Sequence, residues 1–212
     1  MQLSWLEARL IRRLNLAELH LANFLQHTSV PFDSARDIYE LEGWLSDVWQ
    51  VWCRFCRRTI FASCNGCETT SGIFVVPSQP SPEVVSFIAA RQKFGKPPST
   101  LGVNTRLHLE PTWGHVDRLI EVIQALAPAN RVKLLSAFSI IPSIEHVRLI
   151  RNATAHRNVQ SFSEVLAFQS QYLAIPVRHP LEALFWVDPS TGRTLMHSRL
   201  DDMRICAKNA CA

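Results

Sequence analysis

The stretch Arg148-Leu149-Ile150-Arg151-Asn152-Ala153-Thr154-Ala155-His156-Arg157-Asn158 decides how this chain is read. It continues a helix that Pro142-Ser143 opens, with Ser143 as the N-cap and Glu145 and His146 in the first turn. Ile144, Val147 and Ile150 recur at three-residue steps and mark the buried face of that helix. A further amphipathic helix is predicted over Phe162 to Leu173, carrying Phe162, Val165, Leu166, Phe168 and Tyr172. Between the two apolar stretches stand two groups suited to phosphate chemistry. Arg151 keeps its charge and offers a planar fork to phosphate. His156 supplies an imidazole, a group that can take or give a proton. Asn152 and His156 are four residues apart and share a helix face, whereas Arg151 and His156 stand about 140° apart around the axis.

Working outward, the rest of the chain reads as helices joined by loops. Leu3, Leu6, Leu10, Leu14, Leu21 and Leu25 predict an amphipathic helix from about Leu3 to Gln26, with Arg9, Arg12 and Arg13 on its polar side. A second helix is expected to start near Ser34, an N-cap with Asp37 three residues on. Its broad apolar face holds Ile38, Leu41, Trp44, Leu45, Val48, Trp49, Trp52 and Phe55, and Asn65-Gly66 should end it. A loop-rich insertion follows over about 68–112, with a strand-like run at Ile73 to Val76, a short helix from Glu83 to Phe94 and an irregular connection from Gly95 to Gly114. Helices are predicted at Val116 to Leu126 and Asn130 to Phe138. The stretch Leu184 to Leu195 reads as a hairpin around the Asp188-Pro189-Ser190-Thr191-Gly192 turn, before a last helix near Asp202 to Ala210. The expected fold is all-α and one domain, 1–212: a helical bundle with a loop-rich insertion and a small C-terminal hairpin.

With its arginine, four intervening residues, a histidine and a polar residue straight after the arginine, the segment from Arg151 to His156 resembles the R-x(4–6)-H motif of the HEPN superfamily. The likeness is specific over about 144–175; elsewhere it is topological, with long helices first and the motif helix late. The resemblance implies a HEPN-like helical bundle and a metal-independent endoribonuclease acting as a symmetric homodimer. Two copies of the motif would face each other across one groove and leave a 2′,3′-cyclic phosphate. In that reading Arg151 stabilises charge on phosphate, His156 acts as base or acid and Asn152 orients the site. The motif offers no carboxylate cluster to hold catalytic magnesium, so no cofactor is expected. Such domains often serve as toxins or effectors of antiviral defence, which implies RNA as a partner and a regulatory or antitoxin-like protein as another. A second match, Arg13 to His20, has Leu14 after its arginine and is read as incidental. Asn158 stands where one HEPN subclass carries a tyrosine. The alternative is a non-catalytic HEPN-like module that binds RNA or protein.

A third reading rests on the cysteines. Cys53, Cys56, Cys64 and Cys67 form two C-x-x-C pairs, a spacing known from zinc-stapled interaction domains. If the second helix ran through all four, they would fall within about 80° of one face, with Cys53 and Cys67 about 21 Å apart along the axis. That arrangement suits small core residues better than a metal centre. The six tryptophans raise the question of base stacking; Trp44, Trp49 and Trp52 belong to an apolar helix face, and Trp113 is the one best placed for an exposed contact.

Composition sets outer bounds. In 212 residues there are 7 glycines against 12 prolines, too little glycine for a turn-rich all-β chain. The net charge of +4 permits contact with a polyanion without demanding it. The amphipathic start, the absence of a long apolar run and cysteines without a secretory signal lead to the expectation of a cytoplasmic protein with no membrane span.

Overall fold

The computed structural model describes residues 2–32, 34–94 and 109–212. Most of the irregular connection expected from Gly95 to Gly114 therefore lies outside the described residues. Eight helices are described: α1 (Leu3–Leu25), α2 (Ala35–Asn65), α3 (Pro82–Phe94), α4 (Val116–Leu126), α5 (Arg131–Ser139), α6 (Glu145–His156), α7 (Val159–Ala167) and α8 (Leu195–Cys211). The one sheet among the described residues is a pair of two-residue antiparallel strands, β1 (Cys67–Glu68) and β2 (Phe74–Val75). The architecture is all-α. No described helix is long and apolar enough to cross a membrane.

The chain divides into two compact units, to both of which α1, α2 and α8 contribute residues. One comprises Met1–Leu10, Trp52–Pro142 and Ile205–Ala212. In it α4 packs against both α3 and α5. The helix α4 turns Leu119, Val122, Ile123 and Leu126 inward, at three- and four-residue steps, and all are at most 1% exposed. Trp52, fully buried, stacks on Phe55 at 5.7 Å and meets the edge of Phe138 at 6.2 Å. At the end of α2, Gly66 takes φ +92°, and a Cβ there would stand 2.8 Å from Cγ of Pro77. A side chain at this position would be both strained and obstructed, which is why the turn signal stops the helix. The strand-like run is confined to Phe74 and Val75, paired with Glu68 and Cys67.

Trp113 departs from its expected role. It is 6% exposed, packs edge-on against Phe61 at 5.7 Å and donates from Nε1 to Glu110 at 2.7 Å. The cause is Glu110, a buried carboxylate that also receives hydrogen bonds from Arg57 and from Ser86 Oγ. A buried carboxylate needs such donors, and the indole N–H is one of them.

The other unit comprises Ile11–Val51 and Ser143–Arg204. Its centre is α6 packed on α7 and on a 3-10 segment, Pro180–Phe185. Ser34 precedes α2 as expected, its Oγ accepting from the Arg36 N–H at 3.1 Å. Three expectations are corrected here. Ser143 does not cap α6: a 3-10 turn, Pro142–Ile144, leads directly into the helix and no side chain caps it. The helix expected from Phe162 to Leu173 is α7, ending at Ala167, followed by a 3-10 turn, Gln169–Gln171. Phe168 leaves the helical line to stack on His146, ring centroids 4.0 Å apart and planes 10° from parallel. The C-terminal hairpin is reduced to isolated bridges, Val187 with Thr194 and Val187 with Leu173. Leu184 falls in the 3-10 segment, and Leu195 already begins α8. Burial explains this: Leu181, Leu184, Leu195 and Met196 are all fully buried, and a two-stranded ribbon could not have hidden them on both faces.

Candidate functional site

The motif lies on one unbroken α-helix. Val147, Ile150, Ala153 and Thr154 form the buried face of α6. Glu145 in the first turn complements the helix dipole, and His156 lies in the last turn. The buried Thr154 hydroxyl has no need of an outside partner, since it donates to the Ile150 carbonyl at 2.8 Å. The helix stops at Arg157, which adopts a left-handed conformation, φ +47°, and returns its N–H to the Ala153 carbonyl at 3.0 Å. A side chain larger than glycine is strained there, so the corner is held by its surroundings. Asn158 then caps α7, accepting the Ser161 N–H on Oδ1 at 2.8 Å.

On this helix Arg151 and Asn152 are half-buried and touch, Arg151 Nη1 donating to Asn152 Oδ1 at 3.3 Å. His156 is exposed at the C-terminal end, and its ring has no hydrogen-bond or ionic partner among the described residues. Asn152 and His156 lie on one face, while helix geometry keeps Arg151 about 140° away from His156. One copy thus brings together Arg151 with Asn152, and Asn152 with His156, but not all three on one point. The residues of the second sequence match are engaged elsewhere. Arg13 pairs with Asp47 at 2.7 Å and His20 with Glu40 at 3.3 Å.

Beside the motif, at the α6–α7 corner, opens a cavity of about 400 Å³. Ala153, Arg157, Asn158, Val159 and Phe162 line it from the corner, Ala35, Ile38 and Tyr39 from the start of α2, and His179 and Pro180 from the 3-10 segment. Its walls are mostly carbon, and its nitrogen-bearing side chains are Arg157, Asn158 and His179. The Arg157 guanidinium meets Glu42 at 3.3 Å through Nη2 and the Thr154 carbonyl at 3.4 Å through Nε, both long contacts. His179 is fixed by a capping box: its Nδ1 accepts the Leu181 N–H at 3.3 Å, and Glu182 accepts the His179 N–H at 3.2 Å. Glu182 is 1% exposed and also accepts the backbone N–H groups of Arg178, at 2.6 Å, and Phe32, at 3.1 Å. Burial, reinforced by the charge of Arg157, lowers the His179 pKa and outweighs the opposing pull of Glu182 and Glu42. The ring is therefore neutral at pH 7. With Nδ1 accepting, its proton sits on Nε2.

Sequence reasoning passed over Arg157 and His179. The pattern His179-Pro180-Leu181-Glu182, with proline at the first helical position and glutamate at the third, was the available signal for the capping box. Nothing local pointed to its meeting the α6–α7 corner.

A second histidine of α6 has a different setting. Burial and then the charge of Arg199 push the His146 pKa down to about 4. Its Nδ1 lies 2.8 Å from the Tyr172 hydroxyl, and its ring lies between that side chain and Phe168 within a cluster that includes Trp186. This histidine packs as an aromatic ring.

The cysteine quartet is divided by α2. The helix is unbroken through Asn65, so Cys53 and Cys64 stand about 17 Å apart along its axis. Cys56 and Cys64 are fully buried and Cys67 is 1% exposed; burial raises all three thiol pKa values. Among the described residues no group of three or more His, Cys, Asp or Glu side chains could hold a metal ion together. Comparison with known proteins found no matching family model, no similar curated protein and no similar solved structure.

Proposed function

We propose that this chain is a metal-independent endoribonuclease of the HEPN type that works as a symmetric dimer, in the role of a toxin or antiviral-defence effector under a companion protein. The observation that carries the reading is the continuous helix from Glu145 to His156, with an unpartnered imidazole at its end and a guanidinium–amide pair, Arg151 and Asn152, one turn earlier. The 140° between Arg151 and His156 is what a second copy resolves. In the dimer, His156 of one copy takes the proton from a ribose 2′-OH. The freed oxygen attacks phosphorus, and the 5′-oxygen leaves with a proton from the partner's His156. Arg151 meets the charge that grows on the phosphate oxygens. The products are a 2′,3′-cyclic phosphate and a 5′-hydroxyl. Val159, 84% exposed just past the motif, is an apolar side chain that the second copy covers.

The test is incubation with RNA in EDTA, with the products read by mass and the protein's state by light scattering. Cyclic phosphate ends from a dimeric species support the reading. A monomer at working concentration, or RNA left intact with and without the companion protein, overturns it. The second reading, a non-catalytic RNA-binding module, draws on the lined cavity beside the motif and would appear as RNA binding without cleavage.

A further inference from the structure

The cavity at the α6–α7 corner is not used by the cleavage chemistry, and its lining has a definite character. Ile38, Tyr39, Val159 and Phe162 offer flat or branched carbon surface. Arg157 and His179, two of its polar side chains, have donor capacity left over. Neither of the Arg157 side-chain contacts engages Nη1, and His179, with Nδ1 already accepting, has Nε2–H left to give. A volume of about 400 Å³ falls in the range of small-ligand sites, roughly 300–1,000 Å³. An occupant should therefore be flat, apolar on its faces and an acceptor along one edge. A nucleobase has these properties, and among the four guanine presents two adjacent acceptors, O6 and N7, the pair that arginine reads best. Adenine would bring its amino donor against donors. The cavity begins at Ala153 and Arg157, on the same helix turn as His156, so a base held there belongs to a nucleotide close to the one whose phosphate meets His156.

We propose that this cavity is a base-binding subsite that takes an unpaired guanine of the RNA, with Arg157 and His179 on the O6/N7 edge and Tyr39 and Phe162 against the ring. The proposal rests on the ribonuclease reading for its place beside a scissile bond, but the binding itself is separable. The base faces gain stacking and burial, which is sequence-tolerant; the two donors supply the selection.

Binding is measured by titrating full-length protein with GMP, AMP, UMP and CMP at pH 7.5, by calorimetry or chemical-shift change. GMP is expected to bind at least ten-fold more tightly than AMP. Arg157→Ala should remove that preference, and Arg157→Lys, which keeps the charge but not the fork, should not restore it. His179→Asn retains an acceptor for the Leu181 N–H while removing Nε2–H; it should weaken GMP ten-fold with melting temperature unchanged. His20→Ala, outside the cavity lining, should bind GMP as the wild type does. Equal affinity for the four nucleotides, no binding at millimolar concentration, displacement of an apolar dye by fatty acid but not by GMP, or wild-type preference in the Arg157 variants overturns the subsite. Cleavage that persists with no base preference would count against the subsite and leave the ribonuclease reading standing. GMP selectivity in a protein that cuts nothing would do the reverse.

Discussion

The Arg57 guanidinium meets both carboxylate oxygens of Glu110, Nε at 2.6 Å from Oε2 and Nη2 at 2.8 Å from Oε1, while its carbon lies 4.0 Å above the Phe61 ring centre. The pair joins α2 to the segment that leads into α4. Glu110 is buried and Arg57 is about 30% exposed along its side chain. Glu110→Ala strands the guanidinium, Ser86 and Trp113 together, and is expected to cost about 3 kcal/mol in urea unfolding, the order seen when one partner of a buried pair is removed. Burial raises the Glu110 pKa, but the hydrogen bonds of Arg57 and Ser86, the Arg57 charge and Trp113 outweigh it, so the folded value lies below the ordinary 4.5. The stabilisation is therefore fully present above pH 4.5 and is lost as the pH falls through the lower folded value. Glu110→Gln should flatten the acid limb of the stability curve; an unchanged limb would remove the pair from this role.

At the motif, His156→Ala and Arg151→Ala should each lower the rate of RNA cleavage by about 100- to 10,000-fold, the usual loss on deleting a general base or its electrostatic partner. Both side chains lie off the buried face of α6, formed by Val147, Ile150, Ala153 and Thr154, so melting temperature should move little. His20→Ala, whose imidazole is paired with Glu40 at the surface, should cut RNA as the wild type does. A His156→Ala protein with full activity would hand the site to the non-catalytic reading.

His146 should behave as the opposite of a catalytic histidine. Its folded pKa, about 4, lies below the ordinary 6.5 because of burial and Arg199. Below pH 6.5 the unfolded chain takes up a proton that the folded one refuses. The stabilisation is complete above 6.5, declines as pH falls toward 4 and levels off below that. An NMR titration should find the His146 ring neutral at pH 5.5. His146→Phe, which preserves stacking on Phe168, should reduce the loss of stability between pH 6.5 and 4. A His146 resonance titrating near 6.5 would contradict the buried setting.

The cysteines give the simplest measurement. With Cys53 and Cys64 about 17 Å apart along one helix, dialysed protein should carry far less than one zinc per chain by elemental analysis. Replacing Cys53 by Ser should leave stability within about 0.5 kcal/mol, since that side chain is only half-buried. One zinc retained per chain would require α2 to break between Cys56 and Cys64.

Periodicity by itself determined the helical character of this chain. The leucine spacing from Leu3 to Leu25 is a local pattern, set by the 3.6-residue turn, and the helices start and stop within a residue or two of their punctuation at Ser34, Asn65-Gly66 and Leu126. The motif could be placed on a helix for the same reason. What only the tertiary structure decided is what meets across long separations in sequence. The Leu184 to Leu195 stretch alternates like a hairpin, yet Leu184, Leu195 and Met196 are all drawn into the core, so it folds as a 3-10 turn and a helix. The helix after the motif stops at Ala167 because Phe168 turns to His146. Trp113 reads as a loop residue, but Glu110 needs its N–H and buries it. The cavity at the α6–α7 corner combines residues near 38, 157 and 179, and no spacing rule links them. Local patterns follow from backbone geometry; the company a side chain keeps follows from which apolar faces must be covered together and which buried polar groups must find partners.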